Sequence, residues 1–93
     1  MTKQAKKIKI TIFEESYGLV TDESEAHILQ AASLVDTQMK EIAKHLGTLD
    51  LKKLAVLVAL QTMSKLLHAE RKIEVENKIQ ERINKELDKA LEL

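Results

Sequence analysis

Cysteine and proline are absent from these 93 residues, glycine occurs only at Gly18 and Gly47, and the aromatic side chains are Phe13 and Tyr17. Each shortage removes a class of explanation. Without cysteine there is no disulfide, no thiolate nucleophile and no cysteine-ligated metal, which fits a reducing compartment. Two isolated glycines cannot build a glycine-rich phosphate loop. With so few rings the core must be aliphatic, made of Leu, Ile, Val, Ala and Met. No aromatic cluster is available for stacking the bases of a single strand.

Excess charge is missing too, since 15 Lys and Arg balance 15 Asp and Glu. The charges are spread unevenly. Residues 1–9 carry four lysines and no acid, residues 10–50 carry eight acids against Lys40 and Lys44, and residues 51–93 carry nine bases interspersed with seven acids. A nucleic-acid binder presents a basic face; residues 1–7 read instead as a flexible, solvated basic arm, and no nucleic-acid partner is expected. The longest stretch without a charge, residues 54–64, has eleven residues, whereas a bilayer span needs about 20. No apolar segment follows the first lysines as a secretory leader requires. A soluble, cytoplasmic protein without membrane insertion is the expectation.

What is present is periodic. Ile8, Ile10 and Ile12 alternate with Lys9 and Thr11, the period of a half-buried strand. Glu14-Glu15-Ser16 makes a polar break, and residues 17–21 can return as a second strand, with Gly18 marking a bulge or a close backbone approach. Strands are therefore expected at about 8–13 and 17–21. Two strands alone are marginal in water and need a surface to lie on. Asp22 is the expected N-cap of a helix over about 23–46, with Glu25 completing a capping box. Its apolar stripe runs Ile28, Ala32, Val35, Met39, Ile42 and Leu46 in steps of four and three, widened by Leu29 and Ala31. Gly47 supplies the left-handed residue that ends it.

Asp50, or alternatively Thr48, caps a second helix from 51, with Leu49 and Leu54 placed as a hydrophobic staple. From there to Leu93 no glycine or proline interrupts; 43 residues would span roughly 64 Å as a helix. Residues 54–60 are apolar on every face, which requires burial all round. One neighbouring helix and one hairpin cannot supply that, so a second copy of the chain is required, with Val56, Leu57, Leu60, Met63 and Leu67 as the dimer core. The head is thus residues 8–67. Residues 68–93 continue as a coiled-coil segment whose seam reads Ile73, Ile79, Ile83 and Leu87, an imperfect heptad. Glu74–Lys78 and Glu81–Lys85 stand at i,i+4 in the favourable order. The fold class is α+β: a small hairpin-and-helix head followed by a long C-terminal helix.

Catalysis has little to stand on. His27 and His45 lie four residues after Glu23 and Glu41, ordinary helix-surface spacings, and His68 lies among charges; no HExxH-type ligand pair occurs. The carboxylates at Glu14-Glu15 are turn residues, and those at Asp22, Glu23 and Glu25 suit a helix N-terminus. Ser33, Thr62 and Ser64 have no base in register. No enzyme activity, metal or cofactor is expected. Two readings stay open from the residues: a bridging oligomer, and a coiled-coil adaptor or regulator that sequesters a partner.

The block ASLVDTQMKEI at residues 32–42 and the block LDLKKLAVLVALQ at residues 49–61, preceded by the strand at 8–13, resemble the ZapA family of bacterial cell-division proteins. The resemblance covers roughly residues 8–68. It departs at Glu14-Glu15, where the family often has glycine and a basic residue, at Gln61 in place of asparagine, and at Thr37-Gln38. The resemblance implies a head whose hairpins pair between two chains into a four-stranded sheet, and long helices that join two dimers into a dumbbell-shaped tetramer. It implies FtsZ, the tubulin-like GTPase of the division ring, as partner, bound in the cytoplasm at the division site so that filaments are aligned or cross-linked. The expected contact surface is the hairpin turn and the start of the long helix, at Glu15, Lys52 and Lys53.

Overall fold

The computed structural model describes residues 4–91. Residues 1–3 of the expected basic arm, and residues 92–93 of the expected coiled-coil segment, lie outside the described residues. Four elements follow in order: β1 (Lys6–Ile12), β2 (Glu15–Thr21), α1 (Glu25–Leu46) and α2 (Leu51–Leu91). They form two compact units that divide between Ala59 and Leu60.

In the first unit β1 and β2 make an antiparallel pair running from Lys6 opposite Thr21 to Ile12 opposite Glu15. The pairing begins earlier than the alternation foretold, because backbone hydrogen bonds do not depend on which side chains are apolar. Lys6 and Lys7 therefore sit in the strand and not in a loose arm. Ile8 is 3% exposed, with Ile10 and Ile12 half-buried on the same face. The register passes Lys9 opposite Gly18 without interruption, so Gly18 marks no bulge. A Cβ there would come no nearer than 3.7 Å, to Lys7 Cε, so no close approach requires glycine either.

The turn differs from the polar break at Glu14-Glu15-Ser16. It consists of Phe13 and Glu14, both left-handed, with φ of 49° and 66°. Two consecutive residues at positive φ match the right-handed twist of a tight hairpin, normally with Asn-Gly or Asp-Gly. For residues with a Cβ the left-handed region costs roughly 1–2 kcal/mol each. A tertiary contact described below offsets part of it.

Helix α1 starts two residues later than Asp22 predicts. Thr21 Oγ1 accepts a hydrogen bond from the Glu23 N–H at 3.1 Å, which extends the turn out of β2 and delays the helix. Ser24 is the cap: its backbone is extended and its Oγ accepts from the His27 N–H at 3.1 Å. Asp22 and Glu25 thus form no capping box. The other end agrees with expectation, Gly47 having φ 64° and donating to the Ala43 carbonyl at 2.8 Å. Along the stripe, Ala32 and Met39 are buried and Ile28, Val35 and Ile42 half-buried, whereas Leu46 and Leu29 stay exposed. Ala43, outside the predicted stripe, is buried in their stead.

Asp50 caps α2: its Oδ1 accepts from the Lys52 and Lys53 N–H groups at 3.1 and 3.3 Å. Thr48 Oγ1 secures the Asp50 N–H at 3.2 Å. The staple does not form, since Leu49 is 80% exposed while Leu54 is wholly buried. Met39, Ala43, Leu54 and Val58 make the core, flanked by Ile12, Phe13, Val35, Ile42 and Leu51. One side of the apolar run is covered in this way and the rest is not: Ala55, Val56, Ala59 and Leu60 are exposed.

The second unit is helix alone. Glu74 and Lys78 close an ion pair at 3.3 Å on an exposed face; Glu81 and Lys85 close none. Among the described residues no helix is long and apolar enough to cross a membrane.

Candidate functional site

Two surfaces of the first unit merit description, the hairpin turn and the open apolar face. At the turn, the Phe13 N–H donates to Asp36 Oδ1 at 2.7 Å across 23 residues of chain. The other carboxylate oxygen of Asp36 meets Lys40 Nζ at 2.9 Å. Asp36 is placed there because α1 packs its Val35–Met39 face toward the hairpin, bringing the neighbouring position against the turn. The hydrogen bond from Lys40, then that from the Phe13 N–H, hold the Asp36 carboxyl below its ordinary 3.8, against partial desolvation. A backbone N–H in the turn is satisfied, and the left-handed pair is anchored by a charged acceptor.

A pH effect follows. Because the folded-state value lies below the unfolded one, ionised Asp36 stabilises the fold fully at pH above the unfolded value, and that contribution is lost as pH falls through the folded one. Thermal melts followed by circular dichroism should show a loss of stability as pH drops from about 5 toward 2, and Asp36→Asn should flatten part of that slope. An identical slope in the variant would deny Asp36 this role.

Beside the turn lies a notch of about 290 Å³ lined by Phe13, Glu14, Lys40 and Leu49. Glu15, Lys52 and Lys53 are all exposed. The ion pairs among the described residues are His27–Glu23, Lys40–Asp36 and Lys78–Glu74, so the three side chains proposed as a contact surface are free of such partners. The caps explain the geometry of two of them: Lys52 and Lys53 give their backbone N–H groups to Asp50 and leave their side chains in solvent.

The second surface is a hollow of about 360 Å³ lined by residues including Ile10, Ile12, Tyr17, Leu19, Met39 and Leu51. It is an apolar wall that a single chain leaves open. Of the five residues proposed as a dimer core, Leu57 is half-buried, and Val56, Leu60, Met63 and Leu67 are 60%, 67%, 52% and 48% exposed. Ile73, Ile79, Ile83 and Leu87 of the expected seam are 44–57% exposed. No group of three or more His, Asp or Glu residues is placed to hold a metal ion among the described residues.

Sequence reasoning missed Asp36 and the positive-φ turn. The only local signal was an acid four residues before Lys40 on the edge of an apolar stripe, and that spacing predicts nothing more than a surface ion pair.

The family model described as Cell division protein ZapA matches residues 8–91. The chain belongs to the ZapA family. It is 34% identical over 87 residues to the cell division protein ZapA of Geobacillus sp. (strain WCH70), covering 92% of this chain and 95% of that protein. With the ZapA of Geobacillus kaustophilus (strain HTA426) it shares 37% over 89 residues, 95% and 94% of the two chains. Among solved structures it is similar to a ZapA mutant dimer from Geobacillus stearothermophilus. There the TM-score is 0.66 at 33% identity, covering 90% of this chain and 95% of that one. A conserved bacterial protein of unknown function from Pseudomonas aeruginosa PAO1 gives a TM-score of 0.69 at 25% identity, over 94% and 98%. The ZapA match extends through the distal part of α2, beyond the residues 8–68 on which the resemblance was read.

Proposed function

We propose that this ZapA-family chain is a non-enzymatic accessory of bacterial cell division that self-associates, binds FtsZ filaments and aligns or cross-links them, in the cytoplasm at the division site. The observation that carries the reading is the ZapA match from residue 8 to residue 91, taken with the uncovered apolar surface of the single chain. The wall formed by Ile10, Ile12, Tyr17 and Leu19 and the ridge of Val56, Leu57, Leu60, Met63 and Leu67 are what a second copy would cover, the hairpins pairing between chains. Ile73, Ile79, Ile83 and Leu87 would extend the association along α2, toward a dimer or a tetramer.

Such an assembly acts through multivalency. When one head engages a filament weakly, a second head tethered to it binds at high effective concentration. Modest single contacts then align polymers and stay reversible.

The filament-contacting surface is assigned to Glu15, Lys52 and Lys53. Reversing both lysines to glutamate should weaken co-sedimentation with FtsZ filaments by roughly tenfold while leaving circular dichroism and oligomeric mass unchanged. Undiminished pelleting would remove the two lysines from the site. The same assay separates the reading from its rival, a coiled-coil adaptor or sequestering regulator. A bridging protein increases the mass of sedimented bundles, and a sequestering one lowers total polymer.

A further inference from the structure

The hairpin turn is held from outside the hairpin. Phe13 and Glu14 lie between Ile12 and Glu15, the last two residues to pair in the ladder, and both are left-handed. Residues with a Cβ more readily take a right-handed turn, which splays the strands it joins. Glu15 would then leave its place opposite Ile12. Where Glu15 presents its carboxylate therefore depends on whatever keeps the turn left-handed.

Burial along β2 supplies little of that constraint. Tyr17 is 48% exposed and Val20, on the other face, 69%; within β2 only Leu19 and Thr21 are half-buried. A strand with so weak an apolar preference has a weakly specified register. A slip by one residue would carry Glu15 from the face of Ile10 and Ile12 to that of Lys9 and Thr11.

The stronger constraint comes from α1. One carboxylate oxygen of Asp36 accepts the Phe13 N–H, and the other meets Lys40 Nζ one helical turn further on. Partners on both oxygens fix the plane of the carboxylate as well as its position. Among the described residues, every other side-chain hydrogen bond or ion pair joins positions no more than four apart. The Asp36 bond alone ties distant segments together. Its side chain is 23% exposed, so it has little surface to offer a partner directly.

We infer that Asp36 is a positioning residue for filament binding: backed by Lys40, it holds the Phe13–Glu14 turn left-handed and so sets where Glu15 meets the filament. The inference rests on the filament contact proposed above and adds to it a residue that does not touch the filament. A chain whose turn can open binds only through its closed fraction, and its apparent affinity falls by that fraction.

Pelleting of full-length variants with FtsZ filaments tests this in two backgrounds. Asp36→Ala should weaken co-sedimentation about three- to tenfold while keeping the parent's circular dichroism and oligomeric mass. Asp36→Asn, which retains an acceptor without the charge, should lose less. Glycine adopts the left-handed conformation without steric cost. In chains that carry Glu14→Gly, the further loss from Asp36→Ala should therefore shrink to about twofold or less.

An Asp36 that touched the filament itself, or that merely stabilised α1, would cost as much in both backgrounds. Equal losses overturn the inference, and so does an Asp36→Ala protein that pellets like its parent. Should Asp36→Ala fail to fold, the same comparison is made with Asp36→Asn, whose smaller loss should likewise vanish beside Glu14→Gly. The unaltered protein keeps the two ideas apart. If it does not pellet with filaments, the filament reading falls and this inference with it; if it pellets and the two backgrounds lose equally, only the role of Asp36 falls.

Discussion

Replacing Leu54 with alanine is expected to cost about 2–5 kcal/mol of folding free energy. Leu54 is the side chain with no solvent exposure at all, and it sits among Met39, Ala43 and Val58, with Phe13 and Ile42 at the margin of the same cluster. Removing its isobutyl group deletes the transfer term and leaves a cavity that neighbours from two helices and a hairpin cannot all move to fill. Domains of this size have net stabilities of about 5–15 kcal/mol, so the loss is a large part of the whole. Urea unfolding of the two proteins at one fixed protein concentration measures it, because self-association would otherwise shift the midpoint by mass action. A cost below about 1 kcal/mol would mean that the cluster around Leu54 is not what holds the first unit together.

Leu60→Asp should act on assembly. In the single chain Leu60 is 67% exposed, so an aspartate there meets water and leaves the Met39–Leu54 core intact. In the proposed dimer the same carboxylate is buried without a partner, at a cost of several kcal/mol. Since each 1.4 kcal/mol is tenfold in affinity, the dissociation constant should rise by about three orders of magnitude. Sedimentation equilibrium should find the variant monomeric where the parent protein is oligomeric, and Leu60→Ala intermediate between them. An aspartate variant with the parent's mass at the same concentration would take Leu60 out of the interface, and Val56 and Met63 on the same ridge with it.

Both expectations follow from one division of labour along residues 54–60, and that division was only half legible in the sequence. An apolar run with no polar side announces that every face is to be covered. It does not say which face its own chain covers. Leu54 and Val58, four apart, face the hairpin and α1; Val56 and Leu60, also four apart, face solvent. The choice depends on the angle at which α2 leaves the Gly47–Asp50 connection, and Asp50 and Thr48 set that through bonds a sequence reading could name only as alternatives.

Much of what near neighbours govern could be derived from the order of residues: the strand alternation at Ile8, Ile10 and Ile12, the end of α1 at Gly47, the cap at Asp50, and a helix running without a break from residue 51, although the start of α1 fell at the Ser24 cap and not at Asp22. Caps and periodicities act within one turn or one strand pair, so local chemistry suffices for them. The Phe13–Glu14 turn and its bond to Asp36 could not be derived that way. A left-handed pair without glycine is unfavourable on its own, and what stabilises it is a carboxylate 23 residues away that reaches the turn only after α1 has packed on β1. Folding brought that partner into place, and with it the hairpin acquired a tip that its own residues would not choose.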